Sequence, residues 1–258
     1  MKHKLLLLAL SVFMISCSDD EGSGNNTSSG DYLPLESGKY WVYETESPSQ
    51  NGRDSLYTDS AQPLGSSYTT FRTGMPATGF YSGSMADNMV RKSEDKLLIT
   101  GTTSLNFSAD LPFSIELEDF IMFKENANNN QVVGSLEGIL QQQIEGFNVD
   151  FDYGMTTKAK ESLETYTVDG RTYTDVKVME LTLNLKISSN VQGFDVTIMP
   201  AQNVMVSRQY YAKEIGVVHV VTDINYNLSD LSSFGIELPI PQSGSEHQEE
   251  VLVRYNEN

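Results

Sequence analysis

Residues 165–187, TYTVDGRTYTDVKVMELTLNLKI, determine the fold class of this chain. From residue 179 to residue 187 every odd-numbered residue is apolar and every even-numbered residue is polar. A period of two places one face of a strand on a core and the other in water, which is typical of antiparallel sheets. Asp169-Gly170, between Thr165–Val168 and Thr172–Val178, is a strong hairpin signal. The stretch therefore predicts a half-buried antiparallel β-hairpin.

The same alternation recurs along the chain. It is present in residues 104–108, 113–118 and 147–153, and Ser93-Glu94-Asp95 gives a weaker turn signal. A last strand is expected at Val251–Tyr255, after the segment Leu238–Pro241, whose prolines do not fit a central strand. No shift of composition marks a second domain, so we expect one mainly all-β domain over residues 32–258.

Leu136–Ile144 is the one segment with a helical alternative. Its apolar residues fit one face of a helix, but they also fit one face of a strand. Three glycines, at 134, 138 and 146, weaken a helix here. The sequence favours a strand and leaves the helix open.

The N-terminus predicts export. Lys2 and Lys4 precede an apolar run, Leu5–Ile15, that is shorter than the roughly 20 residues of a spanning helix, so it is interpreted as a cleaved signal. Residues 14–17 (MISC) resemble the lipobox of bacterial lipoproteins, which implies a signal peptide over residues 1–16 and acyl chains, palmitate among them, on Cys17. The alternative is an ordinary secretory signal in which Cys17, the only cysteine of the chain, is incidental.

Residues 17–31 are expected to form an acidic disordered tether, because residues 18–31 contain no apolar side chain. Ser18–Glu21 (SDDE) resembles the signal that directs Bacteroidetes lipoproteins to the outer face of the outer membrane, although any solvated tether can be acidic. The chain has 35 Asp and Glu against 17 Lys and Arg. This charge argues against nucleic-acid partners and electrostatic membrane adhesion, so membrane attachment is expected through the acyl chains of Cys17.

Few residues indicate catalysis or metal binding. His219 is interpreted as a half-buried strand histidine that shares a face with Val217 and Val221, and His247 as an exposed one. Neither has a metal-site spacing. Asn148, Asp150 and Asp152 resemble the start of a calcium loop, but the closing Glu is absent, so a solvated strand face is preferred. We therefore expect no enzymatic activity, no cofactor and no metal.

Two short motifs suggest a modification. Asp54-Ser55-Leu56 and Asp59-Ser60-Ala61 resemble the acceptor of Bacteroidetes O-glycosylation. Ser55 and Ser60 are the candidate sites.

Three segments carry a family resemblance. Leu33–Tyr43 (LPLESGKYWVY) and Gln209–Val218 (QYYAKEIGVV) resemble strands of uncharacterised Bacteroidetes outer-membrane lipoproteins and of TapB-like proteins, and Thr165–Val178 is similar to their hairpin. The resemblance implies a single curved antiparallel sheet, a half-barrel like that of the carriers LolA and LolB, and no enzymatic activity. Leu33 and Leu35 are expected to pin the tether to the core. Tyr210 and Tyr211 should point to opposite faces of one strand.

Two functions of different classes follow. The first is a lipid-anchored, cell-surface, non-catalytic binding or accessory module for an unknown glycan, protein or other envelope component. The second is a carrier of an apolar or lipid ligand in the concave face of the half-barrel. A hydrolase whose site is not indicated by any sequence motif is a distant third. A carrier should leave an open apolar cleft, whereas a binding module should fill it.

Overall fold

The computed structural model describes residues 30–59, 67–106, 112–144, 146–191, 193–232 and 241–256. Within these ranges the chain forms one antiparallel sheet of twelve strands and one short α-helix. In chain order the elements are β1 (Tyr40–Glu46), β2 (Asn51–Thr58), β3 (Thr69–Thr73), α1 (Phe80–Ala86), β4 (Met89–Ser93), β5 (Lys96–Asn106), β6 (Pro112–Lys124), β7 (Val132–Ile144), β8 (Phe147–Val168), β9 (Arg171–Val191), β10 (Phe194–Ala212), β11 (Gly216–Asn227) and β12 (Ser243–Tyr255).

Strands β1 to β6 and strands β7 to β12 each pair in sequence order, and β12 joins the two runs by pairing with β1. The strand order is β6-β5-β4-β3-β2-β1-β12-β11-β10-β9-β8-β7, so β6 and β7 are the two edges. The sheet curves until these edges approach each other, and Gly134 of β7 lies against the Ile121 carbonyl of β6. The architecture is therefore all-β, nearly closed into a barrel, and compatible with the half-barrel expected from the sequence.

A bulge bends the edge strand β6. Asp119 has a φ of 50° where the register between β5 and β6 shifts. Its carboxylate accepts two hydrogen bonds from Arg91, at 2.9 and 2.7 Å, and one from Tyr68. Such bulges kink an edge strand and discourage further pairing, which agrees with the absence of a β6–β7 ladder among the described residues.

The concave face of the sheet carries the core. Trp41 and Tyr43 are buried there, and both also bind the backbone of β11 and its preceding turn: Trp41 donates to the Ile215 carbonyl at 2.6 Å and Tyr43 to the Val217 carbonyl at 2.8 Å. Leu33 is only 1% exposed, so the segment that follows Asp31 is fixed to the core as predicted.

Several sequence predictions are confirmed. Asp169 and Gly170, with φ of 46° and 70°, form the turn between β8 and β9, and Val168 pairs with Arg171. Leu136–Ile144 belongs to strand β7, so the helical alternative is wrong. Tyr211 is fully buried, whereas Tyr210 is half-buried and stacks on Tyr166.

The start of the last strand was predicted too late. Strand β12 begins at Ser243, eight residues before Val251. The added residues are polar on both faces, because the inward-facing Gln248 and Glu250 bind α1 rather than the apolar core. A strand with polar residues on both faces lacks the alternation on which the prediction depended.

Candidate functional site

Helix α1 fills part of the concave interior. Its Tyr81, Ser82 and Met85 are buried, and it lies close to β2, β3 and β4. The sequence did not predict this helix. Seven residues are below the length at which a helix is stable alone, so its stability must come from the sheet.

Asp54 of β2 holds the segment that leads into α1. Its side chain is 4% exposed. One oxygen accepts the Gly79 N–H at 2.7 Å, and the carboxylate also accepts the N–H of Thr78 at 3.0 Å and its hydroxyl at 3.1 Å. Asp54 therefore accepts hydrogen bonds from two backbone N–H groups that precede the helix.

Glu250 and Gln248 of β12 accept hydrogen bonds from the next three backbone N–H groups. Glu250 Oε1 accepts the Tyr81 N–H at 2.6 Å, and Oε2 accepts the Ser82 N–H at 3.0 Å and hydroxyl at 2.7 Å. Gln248 accepts the Phe80 N–H at 2.7 Å and donates to the Thr78 carbonyl at 3.0 Å. Five consecutive backbone N–H groups, 78 to 82, thus donate to three side chains of the sheet.

Glu250 is the more deeply buried of the two carboxyl groups, at 1% exposure. Burial raises its pKa to about 7, against the lowering effect of the Ser82 and Tyr81 donors, and the negative charge of Asp54 adds to the rise. Burial also holds the pKa of Tyr43 and Tyr81 well above the usual range, so both phenols are neutral near pH 7.

A small cavity lies beneath α1. Its volume is about 40 Å³ and its lining is mainly apolar. Four methionines face it, and their unbranched side chains can adjust to a ligand's shape. The methionines are Met85, Met122, Met155 and Met179.

Two hydroxyl groups of the cavity-lining residues are buried. They are Tyr81 Oη and Thr157 Oγ1, and both residues are only 1% exposed. The Tyr81 hydroxyl interacts with the adjacent Tyr43 hydroxyl, which donates to a backbone carbonyl and whose oxygen can still accept. The Thr157 hydroxyl has no hydrogen-bond partner among the described residues, and an unpaired buried hydroxyl is costly.

The outer face brings the two histidines of the domain together. The Nδ1 atom of His219 lies 2.7 Å from the Tyr166 hydroxyl, and its ring stacks on Tyr210. Glu249 lies between the two histidines, 3.6 Å from His219 Nε2 and 3.4 Å from His247 Nε2. Sequence spacing missed this group, because only the β11–β12 register brings His219 to Glu249, which follows His247 by two residues on β12.

The environments of the two rings differ. His219 is 7% exposed, more buried than expected, and burial lowers its pKa. His247 is exposed as predicted, and hydrogen bonds to Asp223 and Glu249 raise its pKa.

A register shift at Tyr210 also places Val217 opposite Tyr211, on the inner side, so the prediction that Val217 shares the His219 face is wrong.

The other predicted site residues lie apart from the cavity. Ser55 is exposed on β2, while Cys17 and Ser60 lie outside the described residues. Asp150 lies on β8 and accepts a hydrogen bond from Gln141 at 2.9 Å.

No group of three or more His, Cys, Asp or Glu side chains in the described ranges is arranged to hold a metal ion. No helix in the described part of the chain is long and apolar enough to span a membrane.

Comparison with protein-family models, curated proteins and solved structures finds no match.

Asp54 and Glu250 were not predicted as site residues. The available signal was a carboxylate at an inward position of each strand, two residues before Leu56 and before Leu252. A polar residue in the inward row of a strand indicates a buried partner, here the backbone of α1.

Proposed function

We propose that this chain is a lipid-anchored, non-catalytic binding or accessory module of the bacterial envelope, displayed on a tether at the cell surface. The observation that carries the proposal is that α1 fills part of the concave face and that the cavity beneath it measures only about 40 Å³. The lipobox-like start and the acidic tether support its location.

Location is tested through Cys17. In a diderm bacterial host, the wild-type protein should incorporate labelled palmitate and be cleaved by a protease added to intact cells. Cys17→Ala should abolish the label and leave the protein unprocessed or soluble, whereas Ser18→Ala should change neither. Undiminished label and membrane partitioning in Cys17→Ala contradict the proposal.

A second candidate function is a carrier of a small apolar ligand with one polar group. It is favoured by the methionine-lined cavity and by the Thr157 hydroxyl, which has no partner within the described ranges. The methionines supply adaptable apolar contact, and the Thr157 hydroxyl supplies a hydrogen bond to the polar group.

A short fluorinated alcohol observed by ¹⁹F NMR is a suitable probe for this second function, because the cavity is too small for a fatty-acid chain. Its ¹⁹F signal should shift on binding, and Thr157→Val should weaken binding about tenfold by removing one hydrogen bond. Thr182→Val, on the neighbouring strand β9, is the matched control and should bind as the wild type does. No saturable binding by the wild type rejects the carrier function.

A further inference from the structure

The two edge strands of the sheet differ in their protection against pairing with a further strand. On β6 the outward-facing row carries Glu116 and Glu118, and the bulge at Asp119 kinks the strand. Charges and bulges of this kind keep an edge strand from pairing. On β7 the outward row runs from Ser135 to Gln143 and carries one charge, that of Glu137. Strand β7 therefore lacks the features that block pairing at β6.

The edge of β7 is also regular. From Gly134 to Ile144 the strand pairs with β8 without a shift of register. On its other side β7 pairs with no strand among the described residues. A regular row of unpaired backbone N–H and C=O groups is a template on which a further strand can pair.

Strand β6 covers the start of β7 and not its later part. The two edges meet at Gly134. Further along, the Phe113 ring of β6 stacks on the Phe151 ring of β8, with 5.6 Å between the ring centroids, and Phe151 is the β8 residue that pairs with Leu140. At this level β6 therefore lies on the inner side of β8, and the edge of β7 extends past it.

An exposed apolar side chain lies in the middle of this later part. Ile139 faces outward and is 63% exposed. Apolar surface of this size is stabilised when it is covered. An unprotected edge strand with an exposed isoleucine is the type of edge that is prone to pair with another chain.

We propose that β7 is a dimerisation edge, which pairs in antiparallel orientation with β7 of a second copy of this chain about a two-fold axis at Ile139. This register places the two Ile139 side chains opposite each other and buries both. The pairing is isologous, so it uses the β7 edge of both copies and leaves only the protected β6 edges outside.

The charges of β7 favour a second copy as the partner. With Ile139 on the axis, Glu137 lies opposite Gln141 of the other copy, so no two carboxylates of the paired strands are opposite each other. The Gln141 amide donates one hydrogen to Asp150 at 2.9 Å, and its second hydrogen is left for the Glu137 carboxylate of the other copy. The strand is therefore complementary to itself.

Cross-linking in the envelope of a diderm host tests the register. In the full chain, Ile139→Cys should form a disulfide-linked dimer with copper phenanthroline, because directly opposite Cβ atoms are about 5 Å apart. Asp152→Cys is the matched control: it is exposed on β8 beside Ile139, and its copies would be about 14 Å apart across three strand spacings. Wild type, whose only cysteine is Cys17, should not cross-link.

A mixture of two variants tests the register independently. Differently tagged Glu137→Cys and Gln141→Cys chains should cross-link with each other and neither with itself. Cross-linking of Asp152→Cys as efficient as that of Ile139→Cys, or no cross-linking at Ile139→Cys, overturns the proposal.

Light scattering of the full chain in detergent measures the dimer without a cysteine. The wild type should form a dimer as its concentration rises, and salt should strengthen it, because each copy has a formal net charge of −18. Ile139→Lys removes two apolar contacts and places two like charges opposite each other, so it should raise the dimer Kd by about 100-fold. Ser114→Lys makes the same change of charge at an exposed position of β6 and should dimerise as the wild type does.

Two results of this measurement would overturn the proposal. A wild type that stays monomeric at every concentration leaves the β7 edge to a segment of another protein. A dimer that Ile139→Lys does not weaken uses another surface.

Discussion

Glu249 and Glu250 are consecutive residues of β12, yet they face different environments. Glu250 points to the concave side, where it is buried and bound to the backbone of α1. Glu249 points to the outer side, where it lies between His219 and His247 near water. The alternation of a strand thus gives two adjacent identical side chains different neighbours and different consequences for stability.

Glu250 on the inner face and His219 on the outer face should also respond to pH with opposite sign. The pKa of Glu250 is raised, so its contribution to stability is present below pH 4.5 and is lost as the pH rises through 7. The pKa of His219 is lowered by burial, so its contribution is present above pH 6.5 and is lost as the pH falls.

The largest expected difference is between alanine substitutions at these two positions. Glu250→Ala removes the acceptor of the Tyr81 and Ser82 N–H groups and leaves a buried gap, so it should lower the free energy of unfolding by about 3 to 4 kcal/mol. Glu249→Ala should cost less than about 1 kcal/mol, because its partners are half exposed or weakly bound. Urea unfolding of both variants at pH 7 measures the difference, and equal losses would contradict the assignment of faces.

The pH dependence of stability is the next largest effect. Between pH 5 and pH 8, wild-type protein should lose roughly 2 to 3 kcal/mol more unfolding free energy than Glu250→Gln, since a pKa raised from 4.5 to about 7 is worth about 1.4 kcal/mol per unit. The measurement is urea unfolding of both proteins across this range. Parallel pH profiles would show that the pKa of Glu250 is not raised in the folded state.

Helix α1 on the inner face was harder to predict from sequence than the strands of the sheet around it. Strands such as residues 179–187 show their period directly, and Asp169-Gly170 fixes a hairpin through local backbone preference. Helix α1 has no such signal, because its N–H groups are satisfied by Asp54 and Glu250, which lie 24 to 169 residues away in the chain.

The outer histidine group was missed for a similar reason. His247 precedes Glu249 by two residues on β12, but His219 becomes a neighbour of Glu249 only through the pairing of β11 with β12, in which Val221 lies opposite Glu249. That register follows a connection of which residues 233–240 lie outside the described ranges, and the start of β12 lacks a clear alternation. Sequence spacing alone identified each histidine but not their common partner.

Alanine substitutions at two glycines of the α1 region should change the free energy of unfolding in opposite directions, and by less than the changes above. Gly79→Ala should lower the free energy of unfolding by about 2 kcal/mol, because the new Cβ would collide with the Glu250 carboxylate. Gly83→Ala should raise it by about 0.5 to 1 kcal/mol, because its nearest neighbour would be 3.9 Å away and alanine favours a helix. Thermal unfolding of the two variants decides this, and a stabilising Gly79→Ala would exclude the close contact.

The smallest effect is expected on the outer face, at His247. Hydrogen bonds to Asp223 and Glu249 raise its pKa, so its contribution to stability is present below pH 6.5 and is lost as the pH rises above the folded pKa. The ring is half exposed and screened by water, so His247→Gln should change the free energy of unfolding by less than about 0.5 kcal/mol at pH 6. His219→Gln is the matched comparison and should cost about 1 to 2 kcal/mol, because it removes a buried ring stacked on Tyr210 and bound to Tyr166. Urea unfolding at pH 6 and pH 8 measures both. A loss at His247 as large as that at His219 would mean that the exposed ion pairs, and not burial, hold the outer face together.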